Sequence, residues 1–215
     1  MITRKKLVVC LFFGVIVLNG CAVGNVYNFT DTRAEIKYSP ANGKNAAVAT
    51  HDQRPDVIKG ICDPSYVGMQ RAGFGNPWRV HTASGLPFAD DLTKAVAESL
   101  AQKGYRVIPV FVKHDDERAK VTEAMRAGKA YRNLLFIIKK WESDTYTNIG
   151  LAYEIELNVL DEKLNVLASI SAAETKTIPG SFWDPPSAAR REIPLAFQQI
   201  LEILLNNQKI RQALH

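Results

Sequence analysis

From Leu151 to Val159 the chain alternates strictly, with Leu151, Tyr153, Ile155, Leu157 and Val159 set against Ala152, Glu154, Glu156 and Asn158. Successive side chains of a strand point to opposite faces, so a period of two predicts an antiparallel strand with one face buried and the other wet. Asp161-Glu162-Lys163-Leu164-Asn165 supplies turn residues, and 166–177 is expected to return as the hairpin partner. A half-buried sheet needs a covering layer, and 87–103 offers one. Phe88, Leu92, Val96 and Leu100 recur every four residues on an expected helix, with Pro87 at its first position, Asp90 and Asp91 in its first turn and Gly104 as its stop. Asp91, Lys94, Glu98 and Gln102 fall largely on the opposite, solvent side.

The remaining elements follow the same reasoning. Short strands are expected at 34–38 and 46–50 around a Ser-Pro-Ala-Asn-Gly turn, then near 57–62 and 78–82 within the Gly- and Pro-rich stretch, and at 105–112. Asp115 or Asp116 can cap a second helix running to Met125, and the apolar run 134–138 reads as a central strand buried on both faces. The last element is helical, with Ser187 as a cap, Ile193, Phe197, Ile200, Leu201 and Leu204 as its apolar face, and Pro194 marking a start or kink. The expected fold class is α+β: a mixed, mainly antiparallel sheet with two or three helices packed on one face.

The first twenty residues stand apart. Arg4, Lys5 and Lys6 precede an uncharged run from Leu7 to Leu18, whose 12 residues would span roughly 18 Å as a helix, well short of a ~30 Å hydrocarbon core. Such a segment is a processing signal rather than a comfortable membrane span. It ends in Leu18-Asn19-Gly20-Cys21, which resembles the lipobox of bacterial lipoproteins. That resemblance implies cleavage before Cys21 and acylation of Cys21, so the expected organisation is a signal peptide at 1–20, a lipidated N-terminus and tether at 21–33, and a single domain at 34–215. Two or three acyl chains hold a protein on a membrane where one does so only marginally. Ala22 rather than aspartate after the cysteine implies, by the sorting rule of Gram-negative bacteria, the outer membrane, with the domain facing the periplasm; in a Gram-positive organism the expectation is the cell membrane.

Charge and cysteine content take their meaning from this processing. The formal charge of +5 falls to +2 once Arg4, Lys5 and Lys6 are removed, and no basic stripe with interleaved aromatics remains for nucleic acid. Of Cys10, Cys21 and Cys62 the first is discarded and the second lipidated, leaving Cys62, which is expected to be buried as a small hydrophobe. A content of 47% apolar residues excludes a disordered or collagen-like chain.

The segment 46–55, ending in Asp52-Gln53-Arg54-Pro55, is followed by Phe88-Ala89-Asp90-Asp91-Leu92 and by Leu100-Ala101-Gln102-Lys103-Gly104-Tyr105-Arg106-Val107. Together these resemble the uncharacterised bacterial lipoproteins of the YajG type over 45–160, where a strand ending in Asp-x-Arg precedes a helix and a glycine-led strand. The resemblance implies an accessory role in the cell envelope and carries no catalytic set. The long Gly-rich insertion between Asp63 and Gly85 departs from it.

No reaction is legible. His51, His81, His114 and His215 are isolated, no HxxxH, HExxH, CxxC or GxSxG occurs, and Gly73-Phe74-Gly75-Asn76-Pro77 reads as a turn rather than a nucleotide loop. Neither an enzyme nor a cofactor is expected beyond covalent lipid on Cys21. The most suggestive residues are aromatics in loop-like sequence, Tyr66, Phe74, Trp78, Phe182 and Trp183, which either form a binding surface or fold back over the core edge. Two functions follow: a lipid-tethered interaction module that contacts an envelope protein or its own copies, or a small-ligand binder or hydrolase using 63–85.

Overall fold

The computed structural model describes residues 25–38, 43–71 and 75–214. The expected signal peptide, Cys21 and Phe74 lie outside the described residues. The elements are β1 (Val26–Tyr27), β2 (Asn45–Asp52), α1 (Pro55–Ile58), β3 (Tyr66–Arg71), β4 (Pro77–Thr82), α2 (Phe88–Ala101), β5 (Arg106–Val110), α3 (Arg118–Ala127), β6 (Arg132–Thr145), β7 (Ile149–Leu160), β8 (Val166–Ile178), α4 (Pro185–Leu205) and α5 (Gln208–Leu214).

The α+β class holds, and the expected meander β6–β7–β8 forms two long antiparallel ladders. The sheet is less antiparallel than expected. Four of the seven strand pairings among the described residues are parallel, β1 with β4, β2 with β5, β2 with β6 and β3 with β6, and the sheet curls into a half-barrel. The long strand β6 organises it. Its first half pairs with β2 on one side, its last two residues pair with β3 on that same side, and β7 runs along the other side for its whole length.

The helices occupy both faces rather than one. Ala46 and Val48 of β2 and Leu134, Phe136 and Ile138 of β6 face the main core with α2, α4 and α5. Their alternating neighbours Ala49 and Leu135 face the other way and pack with Val121 and Met125 of α3 and Leu160 of β7. Phe88, Leu92, Val96 and Leu100 of α2 are all buried, as their spacing predicts. Pro87 sits at the N-cap rather than inside the helix, and Gly104 takes a left-handed φ of 82° beyond its end.

Asp91 corrects the assignment of the solvent side of α2. It is fully buried, accepting a hydrogen bond from Ser84 Oγ at 2.9 Å on one carboxylate oxygen. Burial is the main reason that its pKa rises to about 6. A carboxyl whose folded pKa lies above its unfolded value favours folding below both values, and loses that contribution as pH rises through the folded pKa. Asp91→Asn is therefore expected to stabilise the protein by about 1–2 kcal/mol at pH 8 and to have no effect below pH 4, as read by urea unfolding at the two pH values.

The N-terminal segment also departs from expectation. Residues 25–33 are not a tether: Val26 and Tyr27 pair with His81 and Thr82, and Tyr27 and Phe29 are buried in the main core. Asn28 Oδ1 accepts from the backbone and hydroxyl of Thr30, which closes a turn that drives Phe29 inward. Residues 34–38 bury Ala34, Ile36 and Tyr38 with the period of a strand yet form no ladder. Side chains of α4 serve the backbone instead. Glu202 Oε1 accepts from Glu35 N–H at 3.1 Å, Asn206 Oδ1 accepts from Lys37 N–H at 2.7 Å, and Asn206 Nδ2 donates to Glu35 C=O at 2.8 Å.

Smaller corrections have local causes. The strand expected at 57–62 is the single turn α1, whose first residue Pro55 fixes a helical φ. Asp184, rather than Ser187, caps α4 by accepting from Ser187 N–H. Asp116 does not cap α3, because its carboxylate accepts from Lys113 N–H and pairs with Lys120. Cys62 is half-buried rather than enclosed.

Candidate functional site

Two regions gather the residues that chemistry would need. The first is a fork in the sheet. Between the last β2 partner, Ile138, and the first β3 partner, Asp144, β6 has no strand beside it on that edge. The gap is bridged by Asp52 and Arg54, both almost fully buried. Arg54 Nε and Nη2 donate to the two Asp52 carboxylate oxygens at 2.9 and 2.7 Å, Nη1 donates to Tyr66 C=O at 2.6 Å, and Nη2 also donates to Pro64 C=O at 3.1 Å. The guanidinium lies over the Phe88 ring at 5.6 Å. The Asp-x-Arg pair thus staples the end of β2 to the loop before β3 and to the start of α2, whose Phe88 N–H also bonds Pro64 C=O. Its donors are used within the fold, so it has a structural rather than a ligand-binding character.

Beside the fork lie two adjoining clefts of about 270 and 440 Å³ that share Asp56, Cys62, Tyr66 and Glu142. Most of their charges are paired: Lys139 Nζ lies 3.5 Å from Glu154 and 2.7 Å from Glu156, Lys140 lies 3.6 Å from Glu142 and Arg71 lies 2.6 Å from Asp144. Close backbone approach fixes the floor. A Cβ on Gly68 would meet Ser143 Oγ at 1.8 Å, and that hydroxyl donates to Val67 C=O. Nearby, Ser65 Oγ and His81 Nδ1 are 2.8 Å apart, while Asp63 accepts from Ser65 N–H at 2.8 Å and is held below the usual carboxylate range by its hydrogen bonds with Ser65. Among the described residues no group of three His, Cys, Asp or Glu could hold a metal ion.

The second region is one end of the sheet. Trp78 lies opposite Gln70, Gln70 opposite Thr145, Thr145 opposite Ile149 and Ile149 opposite Ile178, so these five residues form a row across β4, β3, β6, β7 and β8. Just beyond the row come the turn carrying Tyr146 and the loop carrying Phe182 and Trp183. Trp78 is 51% exposed, Tyr146 46%, Phe182 76% and Trp183 92%. Phe182 and Trp183 meet edge to face with ring centroids 5.4 Å apart.

The four sequence candidates among the described residues therefore separate. Phe182 and Trp183 stand together, Trp78 shares their end of the sheet, and Tyr66 lies farther along β3 against His81 and Arg79, half-buried in the clefts. Tyr146 and Ser65 were not among them. Both follow from residue order only once β6 and β3 have their true bounds, because each sits at a strand end that the hydrophobic pattern leaves undefined.

No family model matches the chain, and no curated protein matches it. Among solved structures the chain shares its fold with protein XCC0632 from Xanthomonas campestris, of family DUF330, at 18% identity and a TM-score of 0.55, covering 87% of this chain and 96% of that one. Looser matches are a PelC dodecamer from Paraburkholderia phytofirmans, with 15% identity, a TM-score of 0.42 and coverage of 79% and 90%, and lipoprotein GNA1162 from Neisseria meningitidis, with 12% identity, a TM-score of 0.29 and coverage of 74% and 98%. At these identities the comparison with XCC0632 defines the fold alone. No helix among the described residues is long and apolar enough to cross a membrane.

Proposed function

We propose that the protein is a lipid-anchored, non-catalytic lipoprotein of the cell envelope, acylated at Cys21, facing the periplasm from the outer membrane and serving as an interaction module for an envelope protein or a second copy of itself. The observation that carries this is Leu18-Asn19-Gly20-Cys21 after a charged segment and a 12-residue apolar run. The exposed aromatic end of the sheet supports a peripheral place at the envelope, since large aromatics held in water are characteristic of surfaces that meet something else.

Cys21→Ser is expected to move the protein from the membrane fraction to the soluble periplasm with its fold intact, because one residue outside the core elements is changed in sequence and the anchor is lost. Retention of the variant in the membrane fraction would refute lipid anchoring. In-cell crosslinking of the tagged, lipidated chain is expected to recover a near-stoichiometric envelope partner or a second copy, and recovery of neither overturns the interaction role.

The second reading, a ligand binder or hydrolase using 63–85, has one observation in its favour, the Ser65–His81 pair next to Tyr66, which lines the cleft. Labelling of Ser65 by a fluorophosphonate, abolished in Ser65→Ala and weakened in His81→Asn, would support it. Absence of labelling in the folded protein counts against it.

A further inference from the structure

We propose that the loop carrying Phe182 and Trp183 rests on the phospholipid surface to which Cys21 is anchored, so that the aromatic end of the sheet is a second, non-covalent membrane contact. This deepens the lipoprotein reading above and rests on it. Three observations converge. The first is where the described chain begins. Asn25 C=O accepts from His81 N–H, and β1 runs parallel to β4 with Val26 opposite His81. Asn25 therefore stands about level with Val80, only two residues, or about 7 Å, from the row that contains Trp78. Read backward from Asn25, β1 points toward that row. Cys21 is four residues ahead of Asn25, and four residues reach at most about 14 Å. An acyl chain on Cys21 is thereby held within about 14 Å of Asn25, a reach that takes in the end of the sheet carrying the exposed aromatics.

The second observation is that the same end is tied to the loop directly. Arg190 of α4 donates through Nη1 to Asn25 Oδ1 at 3.2 Å and through Nη2 to Ser187 Oγ at 2.8 Å, which places the first described residue beside the first turns of the helix that Phe182 and Trp183 precede.

The third is that the loop holds its aromatics outward rather than letting them collapse. Asp184 N–H bonds Ser181 Oγ at 3.0 Å, and Asp184 caps α4 through Ser187 N–H at 3.1 Å. On the other side Gly180 lies against the Tyr146 turn so closely that a Cβ there would meet Thr147 C=O at 2.1 Å. A fastened loop that leaves Trp183 92% and Phe182 76% exposed loses little further entropy when it docks. Tryptophan and tyrosine rings settle at the headgroup level of bilayers because one part of the ring system is apolar and another hydrogen-bonds. Trp183 and Tyr146 match that layer, Phe182 adds apolar area beside them, and the covalent anchor supplies the high local concentration that so small a contact needs.

The test uses the full lipidated chain carrying Trp78→Phe, which leaves Trp183 as the exposed indole and the buried Trp141 as an internal reference, reconstituted on phosphatidylcholine vesicles with or without bromine on the acyl chains. Trp183 emission is expected to shift to the blue and to fall about twofold or more with brominated lipid, and Trp183→Phe in the same background should abolish that quenching. Unquenched Trp183 that stays open to aqueous iodide on acylated, vesicle-bound protein overturns the inference while leaving the anchor standing. A blue shift without bromine quenching also overturns it, in favour of a protein or a second copy covering the loop. Intact mass without acyl chains refutes the anchor itself, and the inference falls with it.

Discussion

Phe29→Ala is expected to destabilise the protein by about 3–5 kcal/mol, the range for truncating a fully buried phenylalanine. Phe29 occupies the middle of an aromatic cluster, with ring centroids 4.8 Å from Phe88, 5.0 Å from Phe197 and 5.9 Å from Trp141. These three partners come from α2, α4 and β6, so the ring joins elements far apart in the chain. The surroundings cannot close over the space it leaves, because Phe88, Trp141 and Phe197 also pack on one another. Equilibrium urea unfolding measures the loss. A change below about 1 kcal/mol would show that 25–33 behaves as a tether after all.

Arg54→Met is expected to cost a similar amount, about 3–5 kcal/mol, for a different reason. Methionine matches much of the arginine stem, so little volume is lost. What remains is a buried Asp52 carboxylate without its cation and a Tyr66 carbonyl without the guanidinium donor, while Pro64 C=O keeps only the Phe88 N–H. The double variant Asp52→Leu with Arg54→Met should recover part of the loss by removing the stranded charge. Additive losses in the double variant would contradict the ion pair as the source of the effect.

Both positions show what the sequence could and could not convey. Helix α2 and strand β7 are legible because their apolar periodicity is long and each buries one dominant face, β6 because its apolar run 134–138 is buried on both, and β8 as the return strand after the 161–165 turn. Phe29 is not, because a lone aromatic between Asn28 and Thr30 carries no period; only the tertiary cluster reveals that it is core. Residues 34–38 mislead for the converse reason: they have the alternation of a strand, but their backbone bonds go to Glu202 and Asn206 of a helix some 170 positions away in the chain. Asp91 reads as exposed because its charge suggests solvent, whereas its angular position beside Leu92 takes it under Ser84. The helices end on two faces because α3 is short and contributes few apolar residues, so nothing in its own pattern says which face of β2 and β6 it covers.

The candidate surface was half legible. Phe182 and Trp183 announce themselves by composition, and the structure keeps them exposed. That they share an end with Trp78 depends on the parallel pairing of β3 with β6, and with the beginning of the described chain on that of β1 with β4, and parallel pairing leaves no local signature in sequence. Tyr66 fails to join them because a strand of six residues separates its two ends by nearly the length of the element.

The central claim is the acylated Cys21, and the most direct measurement is the intact mass of the protein extracted from membranes, with its N-terminal peptide sequenced by fragmentation. The expected product is a chain that begins at Cys21 and carries the added mass of two or three acyl chains on that residue. A chain that begins elsewhere, or an unmodified Cys21, would contradict it.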